Sequence, residues 1–140
     1  MKKLIVCLSI LFLVSIGFVM AGGRPITVPL TGAAEVSGGD PDGSGTAYLT
    51  LNSGQEEVCF ELTWADIDTP TRAHIHRAPA GVNGGIVVAF FDFVDPPPTS
   101  GCIETPRELV KEIRKNPENF YVNVHNAAFP GGAIRGQLSD

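Results

Sequence analysis

This 140-residue chain carries few residues that do chemistry: three cysteines, three histidines, one tryptophan and two tyrosines. No Gly-x-Ser-x-Gly segment is present, which removes a serine nucleophile on a strand-to-helix elbow. Gly84-Gly85 and Gly131-Gly132 do not lead into helical patterns, so neither is a phosphate-binding loop. Basic residues are scarce, with 10 Lys and Arg against 15 Asp and Glu. Nucleic acid and anionic lipid are held through Lys and Arg, so an acidic chain has neither as partner. The acidic Asp40–Ser44 loop has oxygen ligands but not the spacing of a calcium loop, and reads as a solvated turn.

The first residues differ from the rest. Met1-Lys2-Lys3 is basic, residues 4–19 are almost wholly apolar, and the run closes on Val19-Met20-Ala21. That order predicts a secretory signal peptide over 1–21, cleaved after Ala21, with a retained anchor as the alternative. Cys7 lies too early to be a lipoprotein's acylated cysteine. The signal holds two basic residues and no acidic one, leaving eight against 15 and a net charge of −7 over 22–140. Those residues suffice for one compact domain. The expected location is periplasmic or extracellular. In an oxidising compartment Cys59 and Cys102 are predicted to pair, which also withdraws both as nucleophiles. Closing so long a loop is worth about 4 kcal/mol by chain entropy.

From Gly22 onward the apolar pattern has period two, punctuated by Gly, Pro, Asp and Asn. Strands are predicted over 26–30, 46–51, 57–64, 73–77, 86–91, 120–125 and 133–138. In 57–64, Val58, Phe60, Leu62 and Trp64 face one way, as in a strand with one side on a core. Pro29 marks its strand as an edge or a bulge. Residues 86–91 are nearly all apolar and read as a buried strand. One helix is predicted, with Thr105 as cap, Pro106 at the first position and Asn116-Pro117 as the stop. Together these predict an all-β fold, a Greek-key β-sandwich of about seven or eight antiparallel strands with one short helix.

The histidines carry the sharpest chemistry. His74 and His76 are two apart on a strand and therefore share a face. In 120–125, Tyr121, Asn123 and His125 share a face opposite Val122 and Val124. If the strands are neighbours, three imidazoles converge, the donor set of an open zinc or copper site. The competing reading has the same histidines pinning loops by hydrogen bonds. Arg135 is either a surface ion-pair residue or an anion guide beside them, and Tyr121 and Asn123 are placed to stand behind the histidines and support them.

Four blocks resemble a known family. They are Leu30-Thr-Gly-Ala-Ala-Glu-Val36, Ala73-His-Ile-His-Arg77 with Gly81-Val-Asn-Gly-Gly-Ile-Val-Val88, Tyr121-Val-Asn-Val-His125, and Phe129-Pro-Gly-Gly-Ala-Ile-Arg-Gly-Gln-Leu138. On these the chain resembles the CHRD domain, named for its repeats in chordin and also found as a single exported domain in bacteria. The resemblance spans about residues 27–138. In chordin the setting implies binding of extracellular ligands, but the cysteine-rich modules that accompany the domain there are lacking here.

A more distant likeness is to copper/zinc superoxide dismutases, which are Greek-key sandwiches. They too have a His-x-His strand, a later Val-His and a near-terminal Gly-Gly-x-Arg. His74, His76, His125 and Arg135 follow that order, with Arg135 displaced by one residue. With only three histidines a dinuclear centre is excluded, and the likeness implies at most one copper.

The expected function is an exported CHRD-domain protein binding one metal ion through His74, His76 and His125, copper before zinc. Its role is metal holding or weak redox chemistry, and it is not read as an enzyme. The alternative is a metal-free extracellular module binding a protein or surface. The third is a three-histidine metal-dependent hydrolase, for which the sequence offers no general base.

Overall fold

The computed structural model describes residues 23–140, and the expected signal peptide lies outside the described residues. Eight antiparallel strands form one sheet: β1 (Arg24–Thr31), β2 (Ser44–Asn52), β3 (Glu57–Ala65), β4 (Arg72–Arg77), β5 (Gly85–Asp92), β6 (Ser100–Glu104), β7 (Phe120–His125) and β8 (Ile134–Gln137). One helix, α1 (Arg107–Lys115), precedes β7. The strand order is β5-β4-β7-β8-β1-β2-β3-β6. The sheet folds over on itself and nearly closes, with β5 and β6 as its edges. The predicted sandwich layers are thus two halves of one sheet, joined at the single pair Thr31 and Arg135. The Greek key is present, because β6 returns beside β3 and β7 beside β4.

Alternation along the strands decides what is inside. Ile26, Val28 and Leu30 of β1, Leu49 and Leu51 of β2 and Val58, Phe60 and Leu62 of β3 meet Ile75, Val122, Val124 and Ile134 from the other half. Val110 and Ile113 of α1 join the same core. A buried apolar side chain of this size contributes about 1.5–3 kcal/mol, so this face fixes the register of every strand. Beyond Thr31 and Arg135, β1 has no ladder to β8, which is where a strand tolerates Pro25 and Pro29.

Three details depart from the sequence pattern. The run 86–91 is an edge strand with Ile86 exposed, although Val88, Phe90 and Phe91 are buried. Its apolarity resembles a central strand because Phe90 stacks on Phe60 across the core. The strand β6 was not predicted. It is short and polar and is held in place by pairing with β3, including Cys59 opposite Cys102. Those two cysteines are disulfide-bonded, as expected. The helix begins one residue later than predicted, with Pro106 as its N-cap. Thr105 is buried and its hydroxyl donates to the Ile103 carbonyl (2.9 Å).

The β4-β7-β8 region has a second face, away from the apolar core. In register across the three strands stand Arg72 and His125; then His74, Asn123 and Arg135; then His76, Tyr121 and Gln137. All of the second and most of the third rung is buried. The segment 78–84, the segment 126–133 and the turn after β1 cover this face. The protein therefore has two interiors, one apolar and one polar.

Candidate metal centre

Strand geometry brings the three histidines together. His74 and His76 stand on one face of β4, and β7 pairs with β4 so that His125 lies one rung from His74. His74 Nδ1 is 3.3 Å from His125 Nε2. One nitrogen from each of the three rings lies within 4.8 Å of the other two. Two imidazoles bound to one tetrahedral ion at about 2.0–2.1 Å stand about 3.3 Å apart, the spacing of the first pair. His74 is wholly buried, and His76 and His125 nearly so.

The outward nitrogens fix the protonation of the inward ones. His76 Nδ1 donates to the Gly84 carbonyl (2.9 Å) and His125 Nδ1 to the Pro130 carbonyl (3.1 Å). A carbonyl only accepts, so each of these ring nitrogens carries its proton. His74 Nε2 donates to Asp92 Oδ1 (3.0 Å). Each neutral ring then has its lone pair on the nitrogen turned inward. His76 Nε2 has no partner in the protein. This is the usual outer support of a metal-bound histidine, a carboxylate or carbonyl on the far nitrogen.

Electrostatics keeps the rings neutral. Burial pushes the pKa of all three below the ordinary histidine value. For His125, burial and then the neighbouring His74 lower it to about 4. Asp92 pulls His74 partly back, and the Gly84 carbonyl does the same for His76. At neutral pH the cluster is three uncharged donors, the form a cation needs.

A family model described as the CHRD domain matches residues 26–138. The chain belongs to the CHRD domain family. No curated protein and no solved structure matches it. Family membership together with the disulfide supports an extracellular type of module. Among the described residues, no helix is long and apolar enough to cross a membrane.

Within this CHRD domain the remaining predicted residues also meet. Tyr121 stacks on His76 almost parallel, with ring centroids 4.8 Å apart and planes 5° apart. The Arg135 guanidinium lies over Tyr121, 3.3 Å from the ring centroid. It donates to the Val82 carbonyl (2.9 Å) and to Asn83 Oδ1 (3.1 Å). Arg135 is only 2% exposed. The guanidinium is therefore a strut under the 78–84 segment, which speaks against both the surface ion pair and the anion guide. Asn123 occupies the middle rung, between His74 and Arg135.

Four contributors carried little or no signal in the sequence. Asp92 ends β5, and only the pairing of β4 with β5 brings it to His74. Pro130 and Gly84 act through their carbonyls, which carry no side-chain signal. Glu35 is buried beside Asn123, and burial raises its carboxyl pKa, with Asn123 and Arg135 opposing. Its position inside the Leu30–Val36 block was the only hint.

Proposed function

We propose that this CHRD domain is an exported metal-holding protein that binds one ion, copper before zinc, through His74, His76 and His125. The observation that carries the proposal is the facing pair at 3.3 Å, His74 Nδ1 and His125 Nε2. Their outer nitrogens are committed as donors, and burial disfavours adding a further proton. Two lone pairs then face each other inside the protein, an arrangement a shared cation stabilises. Imidazole donors rank Cu(II) above Zn(II), which sets the order of preference. The apolar leader and the disulfide support export. Bound copper would supply an electron-accepting centre, the basis of a weak redox role beside holding. Around it, Asp92, Gly84 and Pro130 orient the rings, and Arg135 with Tyr121 steadies His76.

The metal-free reading, in which the histidines pin loops, has one observation in its favour: His76 and His125 do bond loop carbonyls. Those bonds use only the outer nitrogens and leave the inward ones without a role. Titration calorimetry of metal-stripped protein with Cu(II) separates the readings. One equivalent is expected to bind, with zinc weaker, and binding is expected to be lost in the His74→Ala/His125→Ala variant. Equal binding by that variant and the native protein sinks the proposal.

A further inference from the structure

The middle rung of the polar face holds a side chain that the three-histidine site does not use. Asn123 lies between His74 and Arg135 in register and is 2% exposed. Its Oδ1 has no partner in the protein, and neither has the neighbouring His76 Nε2. The amide faces His76 on one side and the Glu35 carboxylate on the other. Glu35 is 9% exposed and reaches in from the turn after β1. Space for it is made by glycine. A Cβ on Gly132 would stand 2.1 Å from Glu35 Oε1, and one on Gly39 would stand 2.9 Å from Glu35 Cγ. Gly132 also has φ +138°, a conformation that favours glycine.

A carboxylate only accepts hydrogen bonds, whereas an Asn amide has a donor end and an acceptor end. With Glu35 ionised, the Asn123 NH2 turns toward it and Oδ1 toward the histidines; Glu35 Oε1, like Asn123 Oδ1, has no hydrogen-bond partner in the protein. We propose that Asn123, oriented by Glu35, presents its carbonyl to the open position of the three-histidine site. It selects there a hydrogen-bond-donating oxygen ligand, water or another O–H group, over an aprotic anion. This rests on the metal reading above. An O–H ligand held there would donate to Oδ1 and satisfy an otherwise unpartnered buried acceptor. Azide has no proton to give and meets both the carbonyl dipole and the Glu35 charge. Glu35 is a positioning residue; it acts through Asn123. In Glu35→Gln the neighbour becomes both donor and acceptor, and the amide is free to turn over.

The test is azide titration of copper-loaded protein, followed by the azide-to-copper charge-transfer band, with copper content measured separately. Glu35→Gln and Asn123→Leu are compared with native protein and with the surface variant Glu61→Gln. Azide is expected to bind both site variants about five- to tenfold more tightly, the worth of one removed polar conflict, and to leave Glu61→Gln at the native value. Azide affinities within about twofold of native in both copper-loaded variants overturn the proposal, because that is less than one hydrogen bond is worth. A purely structural Glu35 shows in the melting temperature and leaves the azide affinity unmoved. Native protein that takes up no copper fails the metal reading itself, which is a separate and distinguishable result.

Discussion

His125, with its pKa lowered to about 4 chiefly by burial, sets how the domain responds to acid. The unfolded chain protonates its histidines near the ordinary value of about 6.5, while the folded chain resists. Above that pH both states are neutral and the shifts have no effect on stability. As pH falls below it the unfolded state binds more protons, so stability falls with falling pH down to about 4. Chemical denaturation at a series of pH values is expected to show that decline. The His74→Ala/His125→Ala variant is expected to show a shallower one. The same lowering keeps His125 unprotonated at about pH 5, where an ordinary imidazole is mostly charged, so copper is expected to stay bound there. Asp92 is the next single residue to test. Its carboxylate holds the outer nitrogen of His74, and such partners are worth about 10–100-fold in metal affinity. Asp92→Asn is expected to weaken Cu(II) binding by that order in a competition titration with a chelator of known affinity. No loss of affinity removes Asp92 from the site. Glu35 gives the opposite sign of pH effect. Burial raises its pKa, so its contribution to stability is present in acid and is lost as pH rises through the raised value. Glu35→Gln is expected to melt at a higher temperature than native protein at neutral pH. A lower melting temperature contradicts this.

At the scale of elements, the segment between β4 and β5 holds the polar interior closed. It is fastened by Arg135 to Val82 and Asn83, by Gln137 to the Ala78 carbonyl, and by Gly84 to both His76 and Tyr121. Gly84 passes so close to β4 that a Cβ there would stand 1.9 Å from the Arg77 carbonyl. Backbone must move to admit a methyl group, and the His76 bond moves with it. Gly84→Ala is expected to cost about 2–3 kcal/mol in urea denaturation and to weaken Cu(II) binding. A variant with native stability and native affinity shows that the segment does not brace His76. The stacked series Arg135, Tyr121 and His76 explains why an arginine is buried here. Its fork meets several acceptors at once while its plane covers an aromatic ring, which lysine does not reproduce.

For the whole molecule, the disulfide and the histidines lie in different halves of the sheet. Cys59–Cys102 ties the edge strand β6 to β3, while the histidines stand on β4 and β7. Removing the bridge releases a loop of sequence separation 43, worth about 4 kcal/mol in the unfolded chain. The Cys59→Ser/Cys102→Ser variant is expected to lose about that much stability and, while folded, to bind Cu(II) as native protein does. A loss of copper affinity in the folded variant shows instead that the halves are coupled.

Alternation alone determined most of the framework. Val58, Phe60 and Leu62, or Val122 and Val124, can be buried in one register only, so strand identity and the sheet's inner face follow from composition at alternate positions. The spacing of His74 and His76 likewise put both on one face, and the pairing of Cys59 with Cys102 followed from the expectation of an oxidising compartment. Local sequence gave no such instruction for β6, whose polar residues become a strand through β3 and the disulfide, nor for the exposure of Ile86 at an edge. Tertiary structure alone decided that β4 lies beside β7, and with it that His125 meets His74, that Asp92 and two loop carbonyls hold the outer nitrogens, and that Arg135 is buried. Each of these depends on residues distant in the chain, and on backbone groups that every residue possesses, so side-chain pattern cannot announce them. The three imidazoles were visible in the sequence as donors; the polar interior that leaves them neutral and facing one another exists only after the sheet has folded over its apolar side.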